Sequence, residues 1–546
     1  LKNNLKKKNL IPNRYMKQHI TSFCYALVVL LWCTSVHSQD ILWEKSLGGK
    51  HADYLFDAVP TADYGFLLAG SSLSGKTGKK TEANIGDLDY WLWKMNEKGE
   101  LEWQKSFGGN GSDLLQSIKL TRDAGFILVG TSDSAKGLHK KDSCRGKEDI
   151  WILKLNAQGG EEWQKTIGGS SQEMVNTVAE TSDGGYIIGA SSSSDKSGEK
   201  EADGRGAMDY WIIKLDNKGK IEWQKTYGGI FNDFLKNIEP TYDGGYIVGG
   251  YSNSPESKDK TEKNYGIGDY WIIKLDNKGE IVWQKTIGGD KDDQLQTIIQ
   301  TKEGDYLLGG NSNSGISNYK SASNTSGTDF WVIKLDKTGE ISWQETYNFG
   351  KLDILTSIVE EKEGTFILAG FAKSEVAGSK KQDKEDINDY AIIKIKPNGE
   401  EIWKKTVGSA GEEIMQKVIV TRDGGYLLTG TSNGKASRDK KSTVGSNDFW
   451  VVKLKNEKKT KEEKAAIEAF PNPTTQFTNV IIGYEYEKGT CAVYDLGGRQ
   501  LQRFDIAKER TIPVDLGNLP QGIYIIEINT DVQKDGVKVM KSINKI

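Results

Sequence analysis

The sequence predicts an all-β protein: a seven-bladed β-propeller of four-stranded blades, closed by its N-terminal strand and followed by a small Ig-like β-sandwich. Three observations carry that reading. Tryptophan returns every 60 residues, at Trp43, Trp103, Trp163, Trp223, Trp283, Trp343 and Trp403. A second series runs beside it, at Trp91, Trp151, Trp211, Trp271, Trp331 and Trp450, with Ala391 in the one vacant slot. Fixed-period self-similarity of this length belongs to solenoids, arrays and propellers. The third observation is the phase of the ends. The chain opens on an isolated outer-strand segment, 41–47, and its last repeat stops at a third strand, 449–454. The two fragments complete one blade and lock the ring, whereas an open rod would need polar capping repeats.

Residues 209–286 show the unit twice, as DYWIIKLDNKGKIEWQKTYGG and then DYWIIKLDNKGEIVWQKTIGG. Within a unit the expected strands are 233–241, 246–250, 271–275 and 280–286. The first connection is Thr241-Tyr-Asp-Gly-Gly, where Asp243 bonds forward to backbone N–H groups and Gly244 supplies positive φ. Asp276-Asn277-Lys278-Gly279 forms a tight hairpin turn. A polar loop rich in Ser, Lys and Gly joins the second and third strands. The run Tyr270-Trp271-Ile272-Ile273 is apolar on both faces, as a strand sandwiched between neighbouring sheets must be. The tryptophans are assigned to packing between blades, because burying ~150–250 Å² per ring contributes roughly 4–6 kcal/mol as an upper bound.

Composition narrows the function classes. A net charge of -3 with both signs interspersed gives no electrostatic case for nucleic acid or a membrane surface. Residues 1–15 read as an upstream extension before Met16, and 16–38 as an export signal. In it Lys17 and His19 precede the apolar run 23–32, and Val36 and Ser38 are the small residues before a cut between Ser38 and Gln39. That run is shorter than the ~20 residues a spanning helix needs, so no membrane span is expected in the mature protein. Cys24 and Cys33 fall in the signal, leaving Cys144 and Cys491 far apart, so no disulfide framework is expected. Only His51 and His139 lie beyond the signal, which argues against zinc and histidine-based acid–base chemistry.

Acids recur in register. Asp53, Asp113, Glu173, Asp233, Asp293, Asp353 and Glu413 open the inner strands, while Asp89, Asp149, Asp209, Asp269, Asp329, Asp389 and Asp448 precede the third strands. Both sets belong on the face that carries the long loops. Paired carboxylates could serve glycoside hydrolysis or calcium, but seven equivalent pairs would mean seven equivalent active sites. Capping of loop backbone is the favoured reading, with calcium as the alternative cofactor; no catalytic, cofactor or metal residue is assigned. Lys76, Lys79, Lys80, Lys136, Lys140, Lys141, Lys380 and Lys381 are read as a solvated rim, with an acidic-glycan surface as the alternative. Polar pairs such as Gln116-Ser117, Asn176-Thr177, Lys236-Asn237, Gln296-Thr297 and Gln416-Lys417 are expected to line a wet channel. The sixth blade departs from the pattern: Asn348-Phe349-Gly350 replaces the glycine doublet, Glu363-Gly364-Thr365 replaces Asp-Gly-Gly, and Ala391 replaces tryptophan. A partner groove beside Phe349 and Ala391 is the functional reading of that departure.

The segment Leu275-Asp276-Asn277-Lys278-Gly279-Glu280-Ile281-Val282-Trp283 resembles the tryptophan-docking repeat of quinoprotein-like propellers. The likeness covers about a dozen residues per blade and carries over no cofactor residue. After a charged linker, 456–466, the repeat ends. Residues 467–546 carry Phe470-Pro471-Asn472-Pro473-Thr474, then Val493-Tyr494-Asp495-Leu496-Gly497-Gly498-Arg499, then Leu519-Pro520-Gln521-Gly522-Ile523-Tyr524, and an end bearing Lys541 and Lys545. In that order these motifs resemble the type A C-terminal sorting domain of the type IX (Por) secretion system of Bacteroidetes-type bacteria. The resemblance implies export, the type IX secretion machinery as partner, and a secreted or cell-surface passenger whose tail is cut off. Pro-Asn-Pro and Gly497-Gly498 also fit a small antiparallel sandwich by turn chemistry alone, and a carbohydrate-binding sandwich is the alternative.

The expectation for residues 40–455 is therefore a non-catalytic binding or scaffold module with a glycan or protein partner. The alternatives are a glycan-degrading, glycoside hydrolase-like propeller and a quinone-dependent dehydrogenase.

Overall fold

Alternation of strand and turn signals every 60 residues builds seven antiparallel four-stranded sheets between residues 41 and 454. The computed structural model describes residues 40–325, 327–373, 387–455, 466–470, 472–474 and 477–541. The expected extension 1–15, the signal 16–38, Ser38, Gln39, Lys380, Lys381, all but the last residue of the linker, Pro471 and Lys545 lie outside the described residues. In the fourth blade the strands run from the centre outward as Asp233–Pro240, Tyr246–Ser252, Asp269–Leu275 and Ile281–Ile287. The second and third strands extend beyond their apolar runs because Ser252 pairs with Asp269 at the loop end of the ladder. The seventh blade takes its outer strand from the start of the chain: Ile41–Leu47 pairs antiparallel with Asp448–Leu454, Leu47 opposite Phe449 and Ile41 opposite Leu454. The ring is closed by the first of the described strands.

Adjacent blades are joined by aromatic side chains of their third strands. Tyr210 stacks at 4.8 Å on Trp271 of the next blade and donates its hydroxyl to the Trp271 carbonyl at 3.1 Å. The same pairing joins Tyr90 to Trp151, Tyr270 to Trp331 and Tyr390 to Trp450. Across the closing seam Phe449 meets Trp91 at 4.7 Å. The six tryptophans of this series are fully buried. Each indole N–H has an acceptor on its own blade: Trp271 donates to Gln284, whose amide donates to the Asp259 carbonyl and so ties down the long loop. At the seventh blade Glu44 takes the role of the glutamine toward Trp450. The other tryptophan series is half-buried and lies against the hairpin turn of the following blade. Gly279, at φ 81°, sits against Trp223 so closely that a Cβ there would fall 2.8 Å from the ring.

Every inner strand carries a β-bulge at the same place, as between Leu295 and Thr297. An extra residue inserted there frees a backbone N–H from the ladder. At three junctions the preceding blade supplies a hydroxyl for it: Ser71 for Leu115, Ser191 for Leu235 and Thr431 for Leu55.

The sixth blade corrects an expectation. The groove expected beside Phe349 and Ala391 is filled. Ala391 is fully buried, and Phe349 packs in its cluster with its ring 5.3 Å from Phe330. Phe330 is the residue on which an indole at 391 would stack, so the phenyl ring arriving from the inter-blade linker replaces the lost volume.

The tail forms two facing sheets. One holds Ile467–Phe470, Phe477–Ile482 and Thr511–Asp515; the other holds Gln500–Ile506, Gly489–Asp495, Gly522–Thr530 and Lys534–Lys541, in that spatial order. Val480, Ile512 and Val514 from the first meet Val493, Ile526 and Val539 from the second in one core.

Two substitutions test the packing between blades. Trp271→Ala should lower the unfolding free energy by about 3–5 kcal/mol in urea melts. Ala391→Trp should cost about 1–3 kcal/mol by overpacking against Phe349, and adding Phe349→Gly should recover most of that loss.

Candidate functional site

The propeller carries a ring of charge at each face. On the face of the long loops, the acid at the start of a third strand meets the acid that opens the next inner strand. At the junction of blades four and five, Asp269 accepts the Tyr265 N–H at 2.6 Å. Asp293 accepts the Gly289 N–H at 2.6 Å and the Ser314 hydroxyl at 2.9 Å. The glycine doublet lets the linker pass between the two carboxylates: a Cβ on Gly48 would lie 2.6 Å from Asp448 and 2.8 Å from Asp53. Where the first glycine is lost, Asn348 donates its amide to Asp329 at 2.7 Å. At the junction of blades six and seven, Arg438 forks onto both oxygens of Asp389.

Burial, and after it a neighbouring carboxylate, pushes up Asp89, Asp209 and Asp269. Asp89 and Asp209 are raised to about 6, and Asp269 to about 7; backbone N–H bonds oppose the shift. Asp353, also buried, rises to about 6.

The lysine expectation needs correction at two positions. Lys80 and Lys140 are buried, not part of a solvated rim. Lys80 donates to the Ser72 hydroxyl and the Ser74 carbonyl, and Lys140 donates to Thr166. Lys200, Lys260, Lys320 and Lys440 occupy the same place in their blades and are buried as well. Their ammonium groups lie near both acids of their own blade, and Lys80, Lys140 and Lys320 sit over the faces of Trp91, Trp151 and Trp331. Burial pushes Lys80, Lys260 and Lys320 down to about 8, against the pull of those carboxylates. The missed signal was recurrence: a lysine returning every 60 residues marks a position with one environment, and here that environment is the blade interior. Lys76, Lys136 and Lys141 are exposed.

On the opposite face, that of the short turns, a third-strand lysine, buried or half-buried, meets an acid of the first turn. The pairs are Lys94–Asp63, Lys154–Asp123, Lys214–Asp183, Lys274–Asp243, Lys334–Asp305, Lys394–Glu361 and Lys453–Asp423, at 2.7–3.2 Å. Burial works against ionisation of Asp183 and Asp243, but the lysine and a threonine hydroxyl outweigh it and hold both near 2. Glu361 takes this role in the sixth blade, so the change at Glu363-Gly364-Thr365 leaves the pair intact.

The polar pairs of the inner strands divide at the bulge. The second member often serves the next blade, as Asn237 accepts the Ile298 N–H and Ser357 that of Val418. Within the ring Lys119 reaches Glu239 at 3.5 Å, and Lys417 reaches Asp57 at 3.7 Å across the closing seam. Among the described residues no group of three or more His, Cys, Asp or Glu side chains is placed to hold a metal ion. Cys144 and Cys491 are free thiols.

In the tail, the two ends of the motif set come together. Asn472 donates to the Lys538 carbonyl at 2.8 Å and accepts the Met540 N–H at 3.0 Å, so the segment holding Pro473 clamps the last strand. The Lys541 ammonium is buried and donates to the carbonyls of Leu516, Gly517 and Leu519 at 2.6–2.7 Å. Asp495 closes the hairpin through Arg499, with Gly498 at φ 81° and Gly497 beside it. Tyr524, next but one after Gly522, donates its hydroxyl to the Pro520 carbonyl.

Residues 468–542 match the family described as the secretion system C-terminal sorting domain, of the Por type. The tail is a type IX sorting domain. It directs the protein to the cell surface or the extracellular space, and it implies interaction with the type IX secretion machinery. No helix among the described residues is long and apolar enough to cross a membrane. Over 184 residues the chain is 22% identical to the regulatory protein FlaEY of Caulobacter vibrioides, a match taking in 32% of this chain and 19% of that protein. In structure it is similar to a fungal alcohol oxidase of the AA5 family in complex with copper, at 11% identity, 92% and 99% coverage of the two chains and a TM-score of 0.39. It is also similar to puromycin hydrolase, at 11% identity, 79% and 58% coverage and a TM-score of 0.42. Likenesses at this level carry no site residue across. The sorting domain's Asn472 and Lys541 act within its own fold, whereas the Asp495–Arg499 hairpin is presented outward, with Leu496 exposed.

The loop-face acids give the stability a pH dependence of known sign. Asp89, Asp209 and Asp353 near 6 and Asp269 near 7 stand above the unfolded value of about 4, so the folded state holds protons that the unfolded chain has released. Their stabilisation is present at lower pH and is lost as pH rises through 6–7. Asp183 and Asp243, held near 2, act oppositely, but only below about pH 4. The thermal midpoint should therefore rise when pH falls from about 7.5 to 5.5, and Asp269→Asn should flatten that rise.

Proposed function

We propose that the exported propeller is a non-catalytic binding or scaffold module, taking a glycan or a protein as partner at the cell surface or outside the cell. The observation that carries this reading is the internal engagement of the loop-face carboxylates. They recur around the ring and are held by backbone N–H groups and serine hydroxyls. A glycosidase needs one acid pair set apart from the rest, with room for water or sugar between the carboxyls. No described pair departs from the repeat in that way; the departures at Asn348 and Arg438 add donors to the acids.

The surface offered to a partner is the loop face of blades three to five. Ile230, Phe231, Ile267 and Ile316 are exposed there, where other junctions carry polar residues such as Asn110, Ser170 and Asp290. Solvent-facing apolar groups on a rigid scaffold are the usual material of a binding surface.

Incubation of the protein with a panel of polysaccharides and surface proteins should give retention without new reducing ends or cleavage products; product release would defeat the reading. Phe231→Ser with Ile267→Ser should weaken retention about tenfold, in keeping with loss of central apolar contacts, and leave the thermal midpoint unchanged. Deleting 467–546 should leave the protein in the periplasm, as fractionation and surface proteolysis would report.

A further inference from the structure

The short-turn face shows a second departure from the repeat, and it coincides with the place where the tail lies. Five first turns hold glycine in the left-handed conformation, at Gly184, Gly244, Gly304, Gly364 and Gly424. In blades one and two the same position is Tyr64, at φ 71°, and Ala124, at φ 61°. A side chain is disfavoured in that conformation, so its presence at two neighbouring blades calls for a compensating contact.

The sorting domain supplies it. Tyr64 and Ala124 are buried, whereas a Cβ added at Gly184 or Gly244 would meet nothing. Among the aspartates that directly precede this position, the Asp63 and Asp123 side chains are 9% and 26% exposed, against 55%, 64% and 53% for Asp183, Asp243 and Asp423. Asn479, buried on a strand of the tail, donates its amide to the Asp123 carbonyl at 2.7 Å. Gln158 donates to the Thr511 carbonyl at 3.2 Å, and the Thr511 hydroxyl donates to Asp63 at 3.4 Å. Lys98 pairs with Glu485 at 2.9 Å, and Arg422 with Glu468 at 3.4 Å. The Arg422 guanidinium also lies 3.7 Å above the Tyr64 ring, joining blade seven to blade one beneath the tail.

We infer that the turn face of blades seven, one and two is a docking surface for this chain's own sorting domain, with Tyr64 and Ala124 as the residues that specialise it. This goes beyond the partner-binding reading and does not rest on it, because that partner is placed on the opposite face. The docked contacts come from the three-stranded sheet and the turn after Ile482. The four-stranded sheet, with the Asp495–Arg499 hairpin and the terminal strand, makes none of them. A passenger can thus hold one sheet of its sorting domain while the other stays open to the secretion machinery.

The test uses the chain from residue 40 to 546 with Cys144→Ser, in which Cys491 is fully buried. Lys98→Cys with Glu485→Cys is treated with a short bis-maleimide, and linked peptides are followed by mass spectrometry. A docked domain raises the effective concentration of the two thiols, so linking should be about tenfold faster than for Lys278→Cys with Glu485→Cys, the same turn in blade four. Equal rates would overturn the inference. Tyr64→Gly with Ala124→Gly restores the repeat and should abolish the preference without lowering the thermal midpoint; Asn479→Ala should weaken it independently. Full preference retained in both variants would also overturn the specialised surface.

Discussion

Contact between the third-strand aromatic residue of one blade and the third-strand tryptophan of the next sets the spacing of the ring. It combines a large buried area with a directional bond from the tyrosine hydroxyl to the tryptophan carbonyl. The indole then donates to a glutamine that anchors the long loop, so one side chain fixes blade spacing, blade twist and loop position together. The sixth blade shows how firm this constraint is. Where the indole is absent, a phenylalanine from the adjoining linker meets the same aromatic partner. Packing at interior density leaves no room for an unfilled wedge.

Two rings of charge sit at either end of those aromatic stacks, and they differ in kind. On the turn face each buried lysine has a direct carboxylate partner, and Asp183 and Asp243 are held ionised. On the loop face carboxylates face one another across each junction, and their lysines are bound chiefly to hydroxyls and carbonyls. Desolvation opposes ionisation of the acids on both faces; the partner decides the direction of the shift. Conserving one geometry around the ring gives a rigid platform, and it leaves any selectivity to the residues that break the repeat.

Those breaks are few and informative. Ile230, Phe231 and Ile267 alter the loop face, whereas Tyr64 and Ala124 alter the turn face. The sorting domain occupies the second set. Its Asn472 and Lys541 hold its own ends together, which leaves the outward hairpin as the part free to be read.

Strand order, ring closure and the sorting motifs were legible in the sequence because each depends on local signals: turn residues, apolar runs and a period that survives duplication. Strand 41–47 could be paired with the last repeat by phase alone. The surroundings of a periodic residue were not legible. Lys80 and Lys76 look alike in a polar loop, yet one is buried against Trp91 and the other is exposed. Phe349 and Ala391 could be recognised as exceptions but not as partners, and nothing near Tyr64 announces residues 479 or 511. By itself the sequence determined which positions must be equivalent. Only the tertiary structure decided which of them face the interior, a neighbouring blade or the tail, because that depends on atoms brought close from sixty to several hundred residues away.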